Sequence, residues 1–138
     1  MNDAAMIVAG AVACLGLSGA GSALGTGMAA NAAVGAWKKC YAADKPAPFL
    51  LLSFVGAPIT QTLYGMILMF TMFGKLSVEG AGIPCLVLGI FSGFAIGASA
   101  FFQGRAAAAA CDAQAETNQG FTNYLAALGI VETVAIFT

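Results

Sequence analysis

The residue in this chain best placed to do chemistry is Glu132. It lies in Leu125-Ala-Ala-Leu-Gly-Ile-Val-Glu-Thr-Val-Ala-Ile-Phe137, a stretch with no other charged side chain. A charge near the centre of a bilayer costs about 3 kcal/mol on insertion scales and more in simulations, so such a carboxylate must be balanced by a proton, a cation or a partner. Ala57, Thr60, Gln61 and Tyr64 are spaced by three and four residues and so share one helix face, and the last three carry side-chain oxygen. Pro58, in the same stretch, removes a backbone donor and clashes with the turn before it, which frees nearby carbonyls to act as ligands. Gln103 is the deepest polar side chain of its own segment. A single carboxylate among amide, hydroxyl and carbonyl oxygens suits a hard monovalent cation better than calcium, which recruits several carboxylates. Sodium is the natural candidate. A proton needs only the acid in an apolar shell, so H+ stays open as the alternative.

These groups need membrane helices to hold them. Of the 138 residues, 60% are hydrophobic and only five basic and six acidic side chains occur, far fewer than in a soluble domain. Mean hydropathy is +0.90. The net charge of −1 gives no sign of a nucleic-acid partner. The acidic start, Met1-Asn-Asp-Ala-Ala, lacks the basic region of a secretory leader, so the first apolar run is expected to be a retained helix. Cys14, Cys40, Cys85 and Cys111 are widely spaced and histidine is absent, so the cysteines read as small packing residues rather than as metal or redox groups.

Apolar segments at about 4–37, 48–73, 84–110 and 120–138 predict an all-α membrane protein of four transmembrane helices in two tandem hairpins. The hairpins are expected at 1–73 and 84–138, joined by a loop at 74–83. Lys38, Lys39, Lys45 and Arg105 lie toward the first and third breaks, against Lys75 alone toward the second. The positive-inside rule therefore predicts that loops 38–48 and 111–119 are cytoplasmic and that both termini are not. Trp37 reads as an interfacial anchor, and Arg105 is expected near the loop end of its helix, reaching back to the interface.

The hairpins repeat one another. Residues 18–36 align without gaps on residues 92–110 at an offset of 74, and the second helices align at an offset of 71, which sets Gln61 in the place of Glu132. One copy keeps the carboxylate and the other holds its uncharged near-isostere. In the first helix Gly10, Cys14, Ser18, Ser22, Thr26 and Ala30 recur every four residues beside a second stripe of Gly21, Gly25, Ala29 and Ala33. Such rows let backbones approach closely, and a helix that is small on several sides predicts an inner layer in a homo-oligomeric ring. The glycines of residues 19–27 follow no strand, so helix packing explains them better than a nucleotide-binding turn.

With Pro58-Ile-Thr-Gln-Thr-Leu-Tyr-Gly65, Phe102-Gln-Gly-Arg105, Gly129-Ile-Val-Glu-Thr133 and the glycine- and alanine-rich first and third helices, nearly the whole chain resembles a known family. It is similar to the proteolipid subunit of the rotor ring of V-type and archaeal-type rotary ATPases, in the duplicated four-helix form, and most similar to the sodium-translocating members. The resemblance implies that Glu132 is the ion-binding carboxylate and that Thr60, Gln61 and Gln103 are side-chain ligands of Na+. It further implies that the Ala57 carbonyl completes the shell and that the Tyr64 hydroxyl holds the occupied carboxylate. Helices two and four would form the outer, lipid-facing layer, and the cytoplasmic loops would dock the central stalk. Two departures stand out: Ala57 replaces an expected larger aliphatic residue, and only six residues follow Glu132, which predicts a fourth helix short by a turn or two.

The mechanism expected on this resemblance is a ring turning against a stationary membrane subunit that supplies an arginine. The subunit itself would be no catalyst, ATP chemistry belonging to partners. A proton-carrying ring of the same family differs only in the shell around the acid. A small four-helix multidrug antiporter also has one buried acid but lacks the duplication, and a purely structural pore has no use for a carboxylate surrounded by ligands.

Overall fold

The computed structural model describes residues 2–138 as helices joined by short turns. Helix α1 spans Asp3–Ala42; its N-terminus is capped by the Asn2 side chain, which accepts from the Ala5 N–H at 2.9 Å, and carries Asp3 in its first turn. Helix α2 spans Leu51–Phe73, α3 spans Gly82–Thr117 and α4 spans Phe121–Ile136. The architecture is four helices in two tandem hairpins, with three of them long and apolar enough to cross a membrane.

Two expected breaks are shorter than the polar residues suggested. Lys38 to Ala42 continue α1, and Cys111 to Thr117 continue α3, so the loops at those ends shrink to residues 43–50 and 118–120. Nothing in either polar run breaks a helix. α1 yields only where Asp44 takes φ 50°, just before Pro46, and α3 yields where Asn118 and Gly120 take φ 52° and 85°. The middle loop likewise closes at Ala81, because α3 starts at Gly82 with Pro84 in its first turn, where no N–H is needed. Arg105 consequently lies twelve residues before the end of α3, about 18 Å along the axis, rather than beside a loop. The fourth helix is also a correction to four equal spans. At 16 residues α4 is about 24 Å long, against a hydrocarbon core of about 30 Å.

Helices α1 and α3 run parallel with their glycine rows face to face. Gly10 meets Cys85 and Gly89, Gly21 meets Gly97, and Gly25 meets Ala100 and Gly104, so the contacts advance together along both chains. A Cβ at Gly21 or Gly25 would run into the partner backbone, which is why this stripe is glycine. Helix α2 returns antiparallel along α1, with Gly65 against Ser18 and Pro58 beside Gly25. Helix α4 lies on α3, and only its Leu128 and Ala135 are buried.

Two apolar clusters cap the bundle. One, at the Asp3 end, gathers Ile7, Ala11, Cys14, Met72 and Cys85. The other gathers Ala29, Ala33, Ala36, Leu51, Phe54, Ala107, Ala110, Cys111 and Leu128. The four cysteines are all buried and unbridged. At the second end Lys39 and Asp112 form an exposed ion pair at 2.9 Å, and the Trp37 indole donates to the Pro48 carbonyl at 2.9 Å, tying the loop back onto α1.

Candidate ion-binding site

Between the two apolar clusters lies a polar layer. In α2 the layer starts at Pro58, which cannot donate into the helix ladder; the backbone tightens into a 3₁₀ turn over Ala57–Ile59 before Thr60–Phe73 resumes as α-helix. The turn brings the Ala57 carbonyl to the Thr60 N–H, and the Thr60 hydroxyl donates to the same carbonyl at 3.0 Å. Gln61 stands ten residues from Leu51 and twelve from Phe73, about 15 and 18 Å, hence near the middle of α2.

From there one network reaches the acid. The Thr60 hydroxyl lies 3.1 Å from Gln61 Oε1, and Gln61 Nε2 donates to Gln103 Oε1 at 2.7 Å. Gln103 Nε2 donates to Glu132 Oε2 at 3.2 Å and to the Leu128 carbonyl at 3.0 Å. The Tyr64 hydroxyl donates to Glu132 Oε1 at 2.7 Å. The structure thus joins Ala57, Thr60, Gln61, Tyr64, Gln103 and Glu132, drawn from three helices, in a single connected cluster.

Gln61 and Gln103 are fully buried, whereas Glu132, Thr60 and Tyr64 are half-buried. Glu132 therefore sits at the seam between α2 and α4, with its amide partners on the inner side. The two members of the repeat, Gln61 and Glu132, approach the same Gln103 amide from opposite sides, so α3 holds the hinge of the internal duplication.

The inner wall adds oxygen that nothing in the protein satisfies. Along the antiparallel α1 and α2, Ser18 pairs with Gly65 and Gly25 with Pro58, and the same register sets Ser22 opposite Gln61 and Thr26 opposite Ala57. The Ser22 and Thr26 hydroxyls are buried without a hydrogen-bond partner. Among the described residues no cluster of three or more His, Cys, Asp or Glu could hold a metal. The site is one carboxylate in an oxygen-rich shell, a composition suited to a single positive charge.

Sequence reasoning did not single out the Leu128 carbonyl or Ser99, whose hydroxyl donates to the Val131 carbonyl at 3.0 Å. The signal for Ser99 was present: it lies four residues before Gln103 and so on the same face of α3. In a glycine- and alanine-rich helix a serine reads as one more small residue.

No curated protein matches the chain. Residues 80–138, the hairpin that carries Ser99, Gln103 and Glu132, match the family model for the ATP synthase C-subunit, and this match supports placing the chain among the ion-carrying proteolipids of rotary ATPases.

Proposed function

We propose that this protein is the membrane rotor-ring subunit of a V-type ATPase and that it carries Na+ on Glu132. The observation that supports this most directly is the convergence of Thr60, Gln61, Gln103 and Tyr64 on the one acid at mid-depth of α2. Glu132, Thr60, Gln61, Gln103 and the Ala57 carbonyl would hold the ion, with Tyr64 fixing the carboxylate. In the arrangement described, Gln103 points Nε2 at Glu132. Ion entry requires it to present Oε1 instead, a half-turn about its last bond. Gln61, which now gives Nε2 to Gln103, must turn with it or lose that bond, so the two amides respond together.

An occupied site is neutral and tolerates lipid; an emptied one leaves a bare carboxylate that must meet a cation before it travels further. Rotation would couple to transfer through that condition, with a stationary membrane subunit offering an arginine and the central stalk carrying torque to the partners that handle ATP. The subunit does no chemistry on ATP itself. On the positive-inside argument residues 43–50 and 118–120 face the cytoplasm, and both termini face the other side.

A ²²Na+ binding titration of the purified oligomer across pH tests this. Saturable binding with one site per chain, weakened by protons as pH falls, is the expected result. Absence of saturable sodium binding, with Glu132 still labelled by carbodiimide in a proton-dependent way, would assign the ring to H+ instead. A dimeric detergent-solubilised mass would point to the antiporter class.

A further inference from the structure

We propose that Ser99 is a positioning residue that fixes where Glu132 stands. This rests on Glu132 being the ion carrier, though not on which ion it carries. Helix α4 buries only two of its side chains, Leu128 and Ala135, and Gly129 has open space around it, so side-chain packing leaves its rotation and axial position weakly defined. Between two helices in lipid no hydrophobic force makes up the difference.

Two side chains of α3 do. Ser99, itself 5% exposed, donates its hydroxyl to the Val131 carbonyl at 3.0 Å. Gln103, fully buried, donates Nε2 to the Leu128 carbonyl at 3.0 Å. The donors are four residues apart on one helix and the acceptors three apart on the other, so both bonds lie on facing stripes. A single bond would leave α4 free to pivot about it. Two bonds fix both its depth and its azimuth. The Val131 carbonyl belongs to the peptide unit that leads into Glu132, so the Ser99 bond acts on the backbone that launches the carboxylate. With that backbone held, Glu132 reaches Tyr64 at 2.7 Å and Gln103 at 3.2 Å at the same time. Without it α4 can turn about the Leu128 contact, and one of those two bonds lengthens.

Carbodiimide labelling of Glu132 in the assembled oligomer reads this, with wild type, Ser99→Ala, Ser99→Cys and Ser99→Thr compared without sodium and along a sodium titration. In Ser99→Ala the acid, less firmly held by its two donors, is expected to label about threefold faster or more without sodium, the scale set by one interhelical hydrogen bond in a membrane. Half-protection should require correspondingly more sodium. Ser99→Cys should move in the same direction, and Ser99→Thr, which restores the hydroxyl, should return toward wild type. Labelling and protection unchanged in Ser99→Ala, with only the thermal stability of the oligomer lowered, would reduce Ser99 to helix glue and overturn the proposal. Failure of both Ser99→Ala and Ser99→Cys to assemble, where Ser99→Thr assembles, would make it an assembly determinant and overturn it equally. Should wild-type labelling ignore sodium altogether, the sodium reading fails, and the sodium-free rates still decide the role of Ser99.

Discussion

Replacing Gln103 by leucine tests the site at its centre. The side chain is fully buried and makes three polar contacts: it accepts from Gln61 and donates to Leu128 and Glu132. Leucine fills nearly the same volume and supplies none of them. The Leu128 carbonyl keeps its place in the helix ladder, but the Gln61 N–H loses its acceptor inside the protein, a cost of about 1–3 kcal/mol that falls on the fold whether or not an ion is present. The part that distinguishes loaded from empty sites is the amide's interaction with charge, about 1.5–3 kcal/mol for a hydrogen-bonding group facing an ion. Because Glu132 is only half-buried, the lower end applies, and at 1.4 kcal/mol per factor of ten the half-saturating sodium concentration should rise about tenfold. The assay is ²²Na+ binding to the purified oligomer at alkaline pH, beside carbodiimide labelling without sodium, which should persist because protonation needs only the acid. Unchanged sodium affinity would refute the reasoning. A matched loss of sodium binding and of proton-dependent labelling would refute it too, since it would give Gln103 a purely structural role.

Glu132→Gln should leave the oligomer assembled while ion-coupled ATP hydrolysis by the complex and carbodiimide labelling both disappear; sodium pumping retained in that variant would remove the carboxylate from its role. Gly25→Ala places a Cβ against Ala100 and Gly104 backbone and should destabilise the α1–α3 pair by about 1–3 kcal/mol, seen as a lower unfolding temperature of the oligomer. Ser22→Ala should be neutral or slightly stabilising by the same measurement, because it removes a buried hydroxyl that has no partner. A clear destabilisation there would mean that the Ser22 hydroxyl has a partner after all.

Much of the site was legible before any coordinates. Glu132 was conspicuous because nothing else charged accompanies it, and the spacing of Ala57, Thr60, Gln61 and Tyr64 fixed their common face through helical periodicity alone. The internal repeat went further, since it put Gln61 in register with Glu132, and the two do converge on Gln103. Helix ends were read less well. Polar residues at 38–42 and 111–117 looked like loop, yet lysine, alanine, glutamine and glutamate are good helix formers, and only backbone geometry at Asp44, Asn118 and Gly120 stops the chain. The hold of Ser99 on Val131 depends on which way α4 leans against α3, which no periodicity within either helix encodes.

The length of α1 and α3 has a consequence for force. At 40 and 36 residues these helices run about 60 and 54 Å, roughly twice the thickness of hydrocarbon they cross, and their backbones touch through glycine for much of that distance. Two rods in such contact resist sliding and twisting past each other far better than rods cushioned by long side chains. A load applied where they project into water is therefore delivered with little compliance to the level of Gln103, and a sideways push on Glu132 travels back along the same stiff beam.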